Sequence, residues 1–186
     1  EKQKMLEWGK AKSAGHRRTM ALEAVSLGEN RLAAIPEWVL SLPKRLRYHL
    51  DDAKLQSAVL HSFLRAIEQG LRQSLPEGDG TARIGAVVFI HRFGALMNAH
   101  LHFHVIAIDG VFFGEETASL RFEETHLSAQ ALARLQSTLR KRIVSLFVRR
   151  GLLDQSEAAA LCRCAHGGGF SLDAGVRIEG DDRQRR

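Results

Sequence analysis

Residues 100–104 read His-Leu-His-Phe-His, three of the nine histidines of the sequence, at alternate positions. The run that contains them, AHLHFHVIAIDGVF (99–112), is otherwise that of a β-strand. On a strand, residues i and i+2 leave the sheet on the same face, about 6.6–6.8 Å apart. Two imidazoles at that spacing can converge on one divalent ion. Leu101, Phe103, Val105 and Ala107 then face the opposite side, against helices. A lone buried histidine is more often a hydrogen-bonded core residue than a ligand. Three at period two are harder to explain that way, because an apolar strand gains nothing from three imidazoles on one face. The pattern points to metal or phosphate chemistry carried on a rigid strand.

Two histidines leave most of a metal's coordination positions open to a substrate phosphate and water. An ion held there is a Lewis acid that polarises phosphoryl oxygens and steadies the charge developed during in-line attack. Imidazole favours manganese, cobalt or zinc over magnesium on intrinsic affinity, so abundance decides the working ion. The expected cofactor is Mn2+ or Mg2+. His91, near the end of IGAVVFIHRF (84–93), is a further candidate ligand; the alternative is simple exposure at a strand end.

The elements that must position these residues follow from periodicity and breakers. EWVLSL (37–42) lies between Pro36 and Pro43 and predicts a short strand. Lys44, Arg45 and Arg47 then open a short basic helix containing Tyr48. From 52 to 75, Leu55, Val59, Phe63, Ile67 and Leu71, widened by Leu60 and Leu64, form the stripe of a helix laid on a sheet, with Asp52 as its N-cap. Residues 76–80 predict a loop, and 94–99 link the two apolar strands. Asp109-Gly110 is a two-residue hairpin signal that predicts a reversal into Val111–Phe113, with 120–122 as a continuation. Ser128 opens a second helix, with Leu132, Leu135, Leu139, Ile143 and Leu146 on one face. A shorter helix from Gln155 and a strand over 170–179 complete the order. The expected fold class is α+β: an antiparallel central sheet with helices packed on its back and the histidines on an inner strand's open face.

Size and composition agree with one globular domain. The chain has 186 residues, 45% of them hydrophobic, and a formal net charge of +6. That balance favours polyanionic partners, nucleic acid before membrane. There is no apolar run long enough to span a membrane and no signal peptide, so the expected location is the cytoplasm. The two cysteines, Cys162 and Cys164, suit a reducing compartment and are too few for a structural zinc. Residues 1–30 are charged and irregular, as in a leader or a remnant of a neighbouring segment.

Four segments carry a resemblance: WVLSLPKRLRYHL (38–50), AVVFIHRFGALMNAHLHFHVIAIDGVF (86–112), LFVRRGLL (146–153) and GGGFSLDAGVRIE (167–179). Together they resemble the transposases of rolling-circle insertion sequences, the two-tyrosine HUH enzymes, including their common-region relatives. The resemblance covers about residues 31–182, leaving 183–186 as a tail. It implies an HUH endonuclease or Rep-like fold, and DNA transposition by metal-dependent nicking and strand transfer on single-stranded DNA at transposon ends. Counting back from the turn at Asp109, the family's metal-binding pair falls on His102 and His104. His100 is then a further ligand, a donor behind the ligands or a phosphate contact.

Two family features have no counterpart here: a cysteine-rich zinc segment, and catalytic tyrosines downstream of the last strand. The expectation is a core that is incomplete as given. Tyr48 is the single tyrosine, and packing, with its hydroxyl capping a helix edge, is a better expectation for it than nucleophile. Arg92, Lys44, Arg45, Arg47, Arg140 and Lys141 are the expected DNA contacts. Two other functions fit the same residues. One is a DNA-binding remnant without catalysis. The other is a metal-dependent phosphodiester hydrolase using His100, His102 and His104, with Asp109 nearby in sequence.

Overall fold

The computed structural model describes residues 35–75, 82–93, 99–113, 121–164 and 168–178. The expected leader (1–30), the loop at 76–80, the link at 94–98 and the tail (183–186) lie outside them. The elements run β1 (Ile35–Ser41), α1 (Lys44–Arg47), a single 3-10 turn (Tyr48–Asp51), α2 (Ala53–Gln73), β2 (Ala86–Phe93), β3 (Ala99–Ala107), β4 (Gly110–Phe113), β5 (Arg121–Glu124), α3 (Ala129–Arg149), α4 (Gln155–Arg163) and β6 (Ser171–Ile178). Strands pair in the order β2-β3-β1-β6, every pairing antiparallel. β3 is therefore an inner strand, as the sequence predicts.

Register assigns the two faces of this sheet. Trp38 and Leu40 of β1 lie opposite Val105 and Phe103 of β3, which in turn face Val88 and Ile90 of β2. Trp38, Leu40, Val88, Leu101, Phe103, Val105 and Ala107 are buried in one core with both long helices. From α2 that core takes Leu55, Val59, Leu60, Phe63, Leu64, Ile67 and Leu71; from α3 it takes Leu135, Leu139, Ile143 and Leu146. Both stripes are the ones the sequence periodicity predicts. The helices start where their caps say: Asp52 accepts from the Lys54 N–H at 2.8 Å, and Ser128 from the Ala131 N–H at 3.2 Å. Gly70 lets α3 approach α2 closely, because a Cβ there would lie 2.8 Å from Leu135 Cδ1.

The expected hairpin at Asp109-Gly110 does not form. Both hydrogen-bonding edges of β3 are already taken by β1 and β2, so the chain must leave the sheet. It turns on a bond from the Gly110 N–H to the Ile108 carbonyl at 2.8 Å, and β4 pairs with β5 in a separate two-stranded sheet. Glycine is needed at this corner for space. A Cβ on Gly110 would sit 2.4 Å from Phe122 Cζ and 2.5 Å from the Glu123 carbonyl oxygen. Gly110→Ala should therefore cost about 1–3 kcal/mol of stability in urea unfolding, as overpacking does in tight sites.

Candidate metal centre

The same register that buries Phe103 and Val105 drives His102 and His104 to the open face. His102 lies directly across from Ser41 on β1 and His91 on β2, and His104 from Val39 and Phe89. A cross-strand pair is the closest approach a sheet offers, so His91 joins the two β3 histidines. One ring nitrogen from each of His91, His102 and His104 lies within 4.8 Å of the others. Ring centroids are 4.2 Å apart for His91 and His104, and 4.8 Å for His102 and His104. His100 stands outside this group and packs its ring beside His102 at 5.1 Å.

Hydrogen bonds set the proton positions on two of the rings. His104 Nδ1 lies 2.6 Å from Glu37 Oε1, and an ionised carboxylate only accepts, so Nδ1 carries the proton. Its Nε2 is buried and has no hydrogen-bond partner among the described residues. His102 Nδ1 lies 2.7 Å from the His100 backbone carbonyl, which again makes it the donor. His100 Nδ1 is 3.3 Å from that same nitrogen. Both β3 rings are thus held with Nε2 as the bare nitrogen. A carboxylate behind a ligating imidazole orients the ring and raises its basicity.

Burial holds the His102 pKa below the ordinary 6.5, opposed by the bond to the His100 carbonyl and reinforced by the neighbouring His104, His100 and His91. A neutral imidazole is the form that binds a metal. The donor set therefore fits a divalent ion: one buried nitrogen lacks a partner, a second ring is kept neutral, and a third stands opposite. His91 is exposed while the other two are half-buried, which leaves the centre open to a substrate on its outer side.

The remaining predicted residues divide into separate places. Lys44, Arg47 and Arg92 line one shallow groove with Tyr48, Asp51 and Leu101. Arg45 is exposed on α1 and is not among the groove residues. Arg140 donates to the Cys164 carbonyl at 3.4 Å and ties α3 to the end of α4, and Lys141 is exposed beside it. Asp109, suggested as a ligand by its nearness in sequence, is buried at the far end of β3, with His126 Nδ1 3.5 Å away. Tyr48 does not pack: it is 65% exposed. Leu101, which shares its groove, projects from the face of β3 opposite to His102.

Glu37 escaped the sequence reading. Its one signal is an acidic residue in an otherwise apolar strand, at the parity of Val39 and Ser41. Only the pairing of β1 with β3 shows that this parity is the histidine face.

A family comparison is consistent with this architecture. The Y2_Tnp family model, described as "Putative transposase", matches residues 85–185, just over half of the chain. The chain belongs to that transposase family, its part in the cell is DNA transposition, and its partner is DNA. Comparison with curated proteins returned no match, nor did comparison with solved structures. No helix among the described residues is long and apolar enough to cross a membrane.

Two measurements check the centre without metal. Histidine-selective nitrogen NMR at neutral pH should find His102 and His104 as Nδ1–H tautomers. Native stability should fall as pH drops below about 6.5. The sign follows from the lowered folded-state pKa: the unfolded chain takes the proton first, so acid favours unfolding. His102→Gln should make that fall shallower.

Proposed function

We propose that this chain is the metal-dependent nicking and strand-transfer core of a rolling-circle, HUH-type transposase acting on single-stranded DNA at transposon ends. One observation carries the reading. Three imidazoles converge on the open face of two paired strands, and the buried Nε2 of His104 has no partner among the described residues while Glu37 fixes its tautomer. A divalent ion, Mn2+ or Mg2+, would be held by His102, His104 and His91, and would supply Lewis-acid polarisation of a scissile phosphate.

The chain's own residues do the rest. Glu37 and the His100 carbonyl hold the two β3 rings so that their bare nitrogens need no reorientation when phosphate arrives. In that contact His100 serves through its backbone carbonyl as acceptor, while its ring packs beside that of His102. The sheet supplies rigidity, since β3 is bonded along both edges. Tyr48, the single tyrosine, shares its groove with Leu101 and not with a histidine, so on this reading the described residues supply the metal centre and DNA contacts but not the attacking hydroxyl. The cytoplasm, where DNA is accessible, is the compartment this reading requires.

Manganese titration calorimetry tests the proposal. The unaltered chain and Tyr48→Phe should bind equally well. His102→Ala and His104→Ala should abolish tight binding, and Glu37→Gln should weaken it about 10–100-fold. Equal affinity in all five proteins would sink the assignment. With labelled single-stranded transposon-end DNA and manganese, a denaturing gel should show no protein-linked band. A band lost in Tyr48→Phe would instead make Tyr48 the nucleophile.

A further inference from the structure

The groove on the helix side of β3 has features that the metal centre does not use. Leu42, Leu46 and Leu50 are buried at helical spacing, which anchors the segment between β1 and α2. Tyr48 lies two residues from both Leu46 and Leu50, about 200° round a helix, and so must point away from the core. A single exposed tyrosine is ordinary on a protein surface unless its surroundings give the ring a reason to be there. Among the described large apolar side chains only Tyr48 and Val176 are mainly exposed.

Its neighbours supply that reason. Lys44, Arg47 and Arg92 line the groove beside it, bringing together cations from α1 and β2. Nε and Nη1 of Arg47 are buried and have no hydrogen-bond partner among the described residues. Two desolvated guanidinium donors without an acceptor are costly, and a phosphate is the ligand whose geometry such a fork matches. Asp51 forms part of the same lining. Its carboxylate would repel a bare anion but accepts readily from a base's amino group or ring N–H. An aromatic face, a phosphate fork and an acceptor together describe one nucleotide with its base unstacked.

We infer that this groove is a nucleotide-binding subsite for single-stranded DNA. The Tyr48 ring stacks on an extruded base, Arg47 with Lys44 and Arg92 takes the adjacent phosphate, and Asp51 accepts from the base edge. Leu101, the β3 residue of this groove, leaves the strand on the face opposite to His102, and no histidine lines the groove. The inference rests on the reading of DNA as the partner, but not on the metal.

The test is fluorescence anisotropy of the full chain with a short labelled single-stranded oligonucleotide of mixed sequence, in EDTA, over a series of salt concentrations. Tyr48→Ala should weaken binding roughly 5- to 150-fold with an unchanged salt slope, and Tyr48→Phe should bind as the unaltered chain does. Arg47→Gln should weaken binding and reduce the slope by about 0.7, one phosphate's worth. Photocrosslinking of an iodouracil-substituted strand should map to Tyr48. Circular dichroism should show all three variants folded, since Tyr48 is mainly in water. Unchanged affinity in Tyr48→Ala would overturn the inference, as would equal loss in Tyr48→Ala and Tyr48→Phe, or crosslinks elsewhere. Because EDTA removes any ion, a failure here leaves the manganese result standing, and a failure to bind manganese leaves this one standing.

Discussion

β3 has a neighbour on each edge and a core beneath it, and those three contacts together allow it a single register. Phe103 and Val105 are entirely shielded from solvent, and each lies between an apolar residue of β1 and one of β2. A slip of one residue would put three imidazoles into the core and two large apolar side chains into water. Desolvating three rings without partners opposes that slip, and apolar burial opposes it again. The histidine face is thus a consequence of core packing, and its geometry inherits the rigidity of the core.

From that face outward, the Nδ1 of each of two rings is held by the backbone or by a carboxylate. The His100 carbonyl, part of β3 itself, sets the tautomer of His102; Glu37, on the adjacent strand, sets that of His104. The lowered pKa of His102 has burial as its leading cause, so the residue stays neutral because the sheet shields it. Positioning and proton state come from the same packing, which is why a metal centre can be assembled from residues on three strands.

The two faces of β3 differ in chemistry. The open face carries the imidazoles together with the Glu37 carboxylate and, on the outer strand, Asp173. At its helix-side edge the cations gather around an exposed ring in a groove that reaches Leu101. Arg140 stands apart from that groove, with one guanidinium nitrogen on the Cys164 carbonyl at 3.4 Å.

What the sequence determined by itself was everything governed by local covalent periodicity. Alternation put His100, His102 and His104 on one face; the 3.6-residue stripe placed Leu55 to Leu71 and Leu135 to Leu146 in the core; Asp52 and Ser128 marked where helices begin. These are short-range properties of a strand or a helix, readable wherever they occur. Choices between distant segments were decided only by the tertiary structure. His91 rather than His100 completes the cluster because β2 aligns it with His102, and Glu37 reaches His104 because β1 lies on the other edge. The same occupied edges sent β4 into its own sheet, despite a hairpin signal at Asp109-Gly110. Tyr48 faces water because Leu46 and Leu50 claimed the core. Each of these depends on which strand or helix lies alongside, and that is settled by long-range packing, where one-residue changes of register alter every neighbour.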